Sequence, residues 1–316
     1  MADEVERGTL SEGAARQLAN ATKTRAQWRG ITPRWLVSFL NWTPVEAGIF
    51  RLNRVKEEGG EPIDVECSPP RDSNPDLPET FVDYVDNPRE YFLKAVTTVL
   101  DVQTRVSDLY SQPFDQVQEQ LRLLIEGVKE KQESELINNG EYGLLASAAA
   151  SQRVATRQGP PTPDDLDELL AKVWKEPSFF LAHPGAIAAF GRECTRRGVP
   201  PPTVTLFGNP FVTWRGVPFV PSDKVKIEGT NGAETSKILL IRTGEKKQGV
   251  VGLFQPGVPG EVAPSLSVRL MGIDRKAIAS YLISLYCSLA VLTEDALAVL
   301  DDVEIGRYPE YTHGYN

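Results

Sequence analysis

With 316 residues, 41% of them apolar and 24% charged, the chain has enough core for one large domain or two smaller ones. A net charge of −9 argues against a nucleic-acid-binding face, and a histidine count of 2, His183 and His313, removes most metal-site and histidine-based catalytic chemistry. The cysteines Cys67, Cys194 and Cys287 are far apart and odd in number, which fits free thiols in a reducing cytoplasm rather than a disulfide framework.

No basic-then-apolar leader opens the sequence, so no signal peptide is expected. The longest apolar run, Tyr281 to Leu292, is too short for the ~20 residues that span a bilayer. A cytoplasmic protein without membrane partners is expected. Residues 1–30 are polar and Ala-rich, with a weak helix read over Ser11–Thr24. Trp28, Trp35 and Trp42 then recur every seventh position among Leu36, Val37, Phe39 and Leu40. So much aromatic surface must be buried, either on the protein's own core or on a neighbouring subunit clasped by this arm.

Ile49 to Val55 reads as a strand and Thr80 to Tyr84 as its return. The long Pro-, Gly- and acid-rich stretch between them makes this a projecting two-stranded arm rather than a tight hairpin. Tyr91 to Tyr110 is read as helix. Pro113 to Gly140 is the plainest helix: Val117, Leu121, Leu124, Ile125, Val128 and Leu136 make one stripe. Asp115 with Gln118 is read as its capping box, and Asn138–Asn139–Gly140 as a left-handed stop. Arg122/Glu126, Lys129/Glu133 and Lys131/Glu135 sit at ion-pair spacing on the polar face. Leu123 and Ile137 lie off the stripe: the helix is either a buried central one with a contact on its back, or a spine across which one subunit touches another.

A small-residue connector leads to a break at Gly159–Pro161. Thr162 caps the next helix with Pro163 at its first position, and Leu166, Leu169, Leu170, Val173 and Trp174 form its apolar face. The acids Asp164, Asp165, Asp167 and Glu168 resemble a metal cluster, but acids in a first turn are favoured by the helix dipole alone. Phe179 to Leu181 reads as a strand and Pro184 to Arg197 as a helix closed by Gly198. Ile238–Arg242 and Val250–Phe254 read as a hairpin with a basic Gly-Glu-Lys-Lys-Gln-Gly tip. Ser265 to Leu270 is a further strand, Ile283 to Val291 has a strand period, and after a turn at Thr293–Asp295 the chain runs back through Leu297–Leu300. These tail strands are expected beside the long helix, with 160–260 inserted between the two halves of one core.

No phosphate-binding loop, dinucleotide fingerprint, zinc-helix motif, Cys pair or nucleophile elbow is present. Cys194 with His183 is the one nucleophile-and-base candidate, and a cysteine in such a place is commonly a small buried hydrophobe. The residues point to an interaction or structural protein that needs no cofactor or metal.

Longer blocks carry a resemblance. ITPRWLVSFLNWTPVEAGIFRLNRV, RVSDLYSQPFDQVQEQLRLLIEGVKEKQESELIN, PTPDDLDELLAKVWKEPSFFLAHPGAIAAFGRE, GVPPPTVTLFGNPFVTWRGVPFVPSDKV, RTGEKKQGVVGLFQPG and SLAVLTEDALAVLDDV stand in the order of an encapsulin shell protein of the second family, A subgroup. The chain resembles that family over nearly its whole length. The resemblance implies an α+β fold, the Hong Kong 97-type capsid fold of tailed phages. Its parts would be an N-terminal arm (1–44), an extended loop (45–92), a peripheral domain (93–159 and 260–316) and an inserted axial domain (160–259). It implies a homo-oligomer of about sixty copies closing an icosahedral shell. Shells of this subgroup enclose a cysteine desulfurase, so a cytoplasmic nanocompartment in sulfur metabolism is implied, with the chemistry done by the cargo enzyme. In related shells the loop matching Arg196, Arg197, Gly198, Val199, Pro200, Pro201 and Pro202 lies at a fivefold pore, where the arginines would make a positive ring. The same loop also reads as an ordinary helix end. Trp28, Trp35, Leu123 and Ile137 are the expected assembly contacts. A phage-type major capsid protein and a stand-alone thiol enzyme using Cys194 remain the other readings.

Overall fold

The computed structural model describes residues 31–56, 82–103, 116–229 and 234–308. Trp28, the helix read over Ser11–Thr24, Cys67, Asp115 and His313 lie outside these residues.

The described chain opens with a short helix, α1 (Trp35–Phe39), and strand β1 (Asn41–Pro44). Strands β2 (Ile49–Leu52) and β3 (Arg89–Phe92) then pair antiparallel as a separate two-stranded sheet. Of the expected return strand Thr80–Tyr84, Thr80 and Phe81 lie outside the described residues, and among the rest Tyr84 makes a bridge to Val55. The true partner lies further along, at Arg89–Phe92. Strand β4 (Lys94–Gln103) corrects the helix read for Tyr91–Tyr110 as far as Gln103, the rest of that span lying outside the described residues. Val96, Thr98, Leu100 and Val102 turn inward while Thr97, Val99 and Asp101 face out, a period of two that suits its β-branched residues.

The long helix α2 (Gln116–Asn138) has 23 residues and extends about 34 Å. Its stripe packs as read: Val117, Leu121, Leu124, Ile125 and Val128 lie on Leu100, Val102, Leu266, Ile283 and Leu285. The helix stops without a left-handed residue. Instead the Asn139 side-chain oxygen accepts the N–H of Glu141 (2.9 Å), and Asn138 Nδ2 donates to Lys224 O (2.8 Å). Only one of the three expected ion pairs forms, Lys131–Glu135 at 2.7 Å. Arg122 turns to Glu119 and Lys129 to Glu126, because Glu126 and Glu133 are engaged by the residues around α1.

After α3 (Leu144–Ser147) and β5 (Arg153–Ala155), helix α4 (Pro163–Lys172) starts at the predicted cap. Asp165 Oδ2 accepts both the backbone N–H (2.9 Å) and hydroxyl (2.7 Å) of Thr162. The predicted face is buried at Leu166, Leu169 and Val173, but Trp174 is 69% exposed because the helix has ended before it. Then come β6 (Phe179–Ala182), α5 (Pro184–Arg196), β7 (Thr203–Leu206), β8 (Asn209–Trp214), β9 (Val217–Pro221) and β10 (Thr235–Ile241). The chain closes with β11 (Val250–Phe254), β12 (Glu261–Ala263), β13 (Leu266–Ile273), β14 (Ile278–Val291) and β15 (Leu297–Glu304).

Two large sheets result. One runs β1-β11-β14-β13-β12, with β4 also paired to the long β14; the other runs β5-β15-β10-β6-β9-β8-β7. The hairpin read across Gly244–Gly249 is therefore not one. Strands β10 and β11 belong to different sheets and share only the bridge from Thr243 to Val250. Likewise β15 does not fold back onto β14 but joins β10 and β5, placing the last strand in the sheet built mostly from residues 160–259. The seven-stranded sheet alternates its cores. Phe179, Leu181, Leu239 and Ile241 face α1 and the end of α2, whereas Phe180, Ala182, Ile238 and Leu240 face α4 and α5. Burial on both faces explains why these strands read as continuous apolar runs.

Candidate assembly and pore surfaces

Helix α5 presents the loop singled out as a pore candidate. His183 caps its start, with Nδ1 accepting the N–H of Gly185 (3.0 Å), and Pro184 fills the first turn. At the other end Gly198 takes φ 72°, and Val199 donates its N–H to Cys194 O (2.9 Å). Beyond Pro200 and Pro201, the carbonyl of Pro202 accepts both the N–H and the hydroxyl of Thr213, fixing the loop to β8. The loop is exposed from Arg196 to Val199. Its arginines are not free cations, however. Arg196 grips Glu193 through Nε and Nη2, the latter at 2.7 Å, and Arg197 Nη1 reaches Asp164 at 2.9 Å. Two positive and two negative charges thus balance at the base of the loop.

The thiol reading fails on geometry. His183 and Cys194 stand at opposite ends of α5, eleven positions apart in the sequence, which is about 16 Å along a helix at 1.5 Å per residue. Burial pushes the Cys194 thiol up to about 11, the reverse of what a nucleophile needs. The four acids of α4 are each accounted for: Asp165 in the cap, Asp164 on Arg197, Asp167 on Arg215 and Trp214 Nε1, and Glu168 on Arg157. Among the described residues no group of His, Cys, Asp or Glu is arranged to hold a metal ion.

The four assembly candidates part company. Trp28 lies outside the described residues. Trp35 is half-buried on this chain's own aromatic rings, edge-on to Phe211 at 5.3 Å and stacked on Phe207 at 6.0 Å. Phe207 sits at φ 49° in the two-residue turn between β7 and β8, 64% exposed, with Gly208 beside it at φ 75°. Leu123 is half-buried and belongs to none of the core clusters. Ile137 is corrected: it is 0% exposed, packed among Leu36, Leu40, Leu136 and Tyr142. The last turns of α2 are enclosed by α1 on one side and by the chain after the helix on the other, so stripe and back are both core there.

The sequence reading missed a second constellation, the seat of α1 on α2. Glu130 accepts the N–H (2.8 Å) and hydroxyl (2.9 Å) of Thr32, Arg34 Nη1 (3.0 Å) and Lys224 Nζ (2.9 Å). Arg34 also reaches Glu126 at 2.7 Å. Burial alone raises the Glu130 carboxyl, but the hydrogen bonds from Thr32 and Lys224 outweigh it and hold it below the usual carboxylate value. One turn on, Glu133 is 1% exposed and accepts the N–H of Leu36 (3.0 Å), which caps a helix whose own N-cap residue offers no side-chain bond. Here burial prevails and pushes the carboxyl up to about 7. The legible signal was the spacing: Glu126, Glu130 and Glu133 fall at i, i+4 and i+7, one face of a helix.

Large apolar side chains also stand on the outside. Val262, Leu270, Met271 and Ile273 line the β12–β13 edge, with Val99 on β4 and Phe92 on the two-stranded arm.

A long helix on one sheet, a second sheet with its own helices and a separate two-stranded sheet make a capsid-type subunit. The fold is the Hong Kong 97 type: the capsid protein of a native GTA particle superposes with TM-score 0.59 over 90% of this chain and 94% of that one, at 14% identity. Closer comparison narrows the class. The chain belongs to the family of SrpI-like type 2A encapsulin shell proteins, whose family model matches residues 51–307. It is 67% identical over 316 residues, 100% of both chains, to the type 2A encapsulin shell protein SrpI of Synechococcus elongatus. It also superposes with TM-score 0.81 and 64% identity on the chain in the cryo-electron microscopy structure of the holo-SrpI encapsulin complex of that organism, covering 96% of this chain and 100% of that one. The protein is a structural shell protein and not an enzyme.

Proposed function

We propose that copies of this chain close into an icosahedral shell of about sixty subunits, in the cytoplasm, around a cysteine desulfurase that performs sulfur chemistry inside it. The observation that carries the reading is family membership over the whole chain. A heterologous contact between one face of a subunit and a different face of its neighbour closes into rings when the rotation permits. Electron microscopy of the purified protein tests the assembly: closed particles of uniform diameter are expected, and dispersed subunits at high concentration would refute it. Mass spectrometry of material expressed in its native host tests the cargo. A desulfurase inside the particles supports the reading, and enclosed DNA or an unrelated enzyme overturns it.

Leu123 is assigned to the contact between subunits. Leu123→Glu is expected to leave the folded subunit intact, because the residue packs in no core cluster, while lowering the yield of closed particles at least about tenfold, the factor that 1.4 kcal/mol represents. Size exclusion with circular dichroism reads both; normal particles from this variant exclude Leu123.

The loop from Arg196 to Pro202 is assigned to the fivefold opening. With Glu193 and Asp164 holding its arginines, the opening presents guanidinium edges rather than a bare positive ring. Substituting Arg196→Ala and Arg197→Ala together leaves those two acids without counter-charge. Entry of small anionic metabolites is expected to slow, most strongly at low salt, in particles that still assemble. Turnover of enclosed enzyme against the same enzyme released from its shell measures this, and an unchanged ratio removes the assignment.

A further inference from the structure

The seat of α1 on α2 contains two carboxylates one helical turn apart in opposite electrostatic settings. Glu130 is bound by Thr32, Arg34 and Lys224. Glu133 is sealed beneath α1, and the backbone N–H of Leu36 donates to it. The charged groups facing Glu133 are Glu130 on its own helix and Asp223 and Lys224 in the loop after β9. From the arm side Arg34 is spent on Glu126 and Glu130, and Lys129 on Glu126. Lys224 is likewise committed, to Glu130 and Asp223. Among the described residues no cation therefore bonds Glu133 directly, and its two acidic neighbours resist a further negative charge.

We propose that Glu133 is a proton-operated latch: seating α1 on the long helix takes up one proton, so the arm is held more tightly in mild acid and released more readily as the pH rises. The geometry supplies both states. With α1 seated, the neutral acid offers its carbonyl oxygen to Leu36 and buries no charge. With α1 lifted, the carboxyl meets water, loses its proton and leaves Thr32, Arg34 and Leu36 without their partners on this helix.

The sign follows from linkage. The seated carboxyl titrates at about 7 and the released one at the ordinary 4.5, so the seated form binds more protons between those values. The contribution to seating is full below 4.5, falls as pH rises, and is gone once the pH has passed about 7. Glu130 stays ionised throughout this window, because its carboxyl is held below the usual value. It fixes where the arm sits while Glu133 sets how firmly.

Amide hydrogen exchange of the Leu36 region in the full-length protein tests the latch, expressed as protection relative to the intrinsic rate at each pH. Protection is expected to fall by up to about tenfold per pH unit on going up to the region of pH 7 and to level off above it, the behaviour of one linked proton. Glu133→Gln keeps an oxygen that can accept from Leu36 and removes the titration, so its protection should be high and independent of pH. A wild-type profile that is flat below pH 7 overturns the proposal without any variant. So does a Gln variant that retains the wild-type slope, since some other group would then be titrating.

Discussion

Asp295→Ala is expected to destabilise the subunit by about 3 kcal/mol, toward the low end of what breaking a buried ion pair costs. Arg242 is fully buried, and its guanidinium meets the Asp295 carboxylate at 2.8 and 3.3 Å. Without Asp295 the charge keeps only the Thr293 hydroxyl at 2.9 Å and backbone carbonyls, which offset part of the loss. The pair ties the segment leaving β10 to the turn between β14 and β15, the place where the two sheets exchange chain. Lys175 approaches the same carboxylate at 3.0 Å but is half exposed, so Lys175→Ala should cost less than about 1 kcal/mol. Thermal denaturation of both variants at one protein concentration makes the comparison, since assembly itself shifts the midpoint. Equal losses would mean that burial of Arg242 does not set the energy. Burial raises the Asp295 carboxyl, but hydrogen bonds from Arg242, Thr293 and Lys175 outweigh it and hold it far below the usual range. That stabilisation is present above the ordinary 3.8 and is lost as the pH falls toward the lower folded value.

The second large effect is expected at Gly252. A β-branched residue in a central strand ordinarily favours the sheet. Here a Cβ would lie 2.7 Å from Cε3 and 2.8 Å from Cδ2 of the Trp42 ring, which covers the glycine from the neighbouring strand β1. The ring cannot step aside freely, because its Nε1 donates to Val37 O at 2.9 Å and so anchors β1 to α1. Gly252→Val should therefore lose about 3 kcal/mol, the upper end for overpacking. The loss is expected to appear locally, as β1 peeling from β11. Tryptophan emission shifted toward the solvent-exposed wavelength, together with fast exchange of residues 41–44, would show it. A variant with native emission and normal exchange would mean that the sheet accommodates the side chain by moving its backbone.

Much of this architecture could be read from the sequence, and the reasons are local. Helix α2 has six apolar residues on one period, and α4 carries Thr162, Pro163 and Asp165 where a capped helix needs them, so neighbours in sequence suffice to define each. Strand β14 is long enough for its alternation to be seen. The errors arose where distant partners decide. The Gly244–Gly249 turn carries good turn residues, yet β10 finds β6 and β15 while β11 finds β1 and β14, and no local signal distinguishes that from a hairpin. Ile137 lies off the helical stripe and is nevertheless core, because α1, a hundred residues earlier, closes over it. Glu133 looked like the surface half of an ion pair with Lys129. Its partner is the backbone of Leu36, 97 positions away. The encapsulin relationship was visible in long ordered blocks, while the state of charge at the loop after α5 depended on Asp164, which touches it only in the folded chain.

The mixed ancestry of the seven-stranded sheet bears on how the protein can be engineered. Its strands come from residues 153 to 304, and the last of them, β15, is interleaved between β5 and β10. A cassette cut at residues 160 and 259 would carry away β6 to β11 and leave β15 behind with an open edge of unpaired backbone. Grafts that exchange the loop after α5 between relatives should therefore be confined to the segment from the end of α5 to the start of β8, where both flanks are anchored by hydrogen bonds within the same sheet and its covering helix. Larger transplants must bring β5 and β15 along, or they will create a sticky strand in every subunit of the particle.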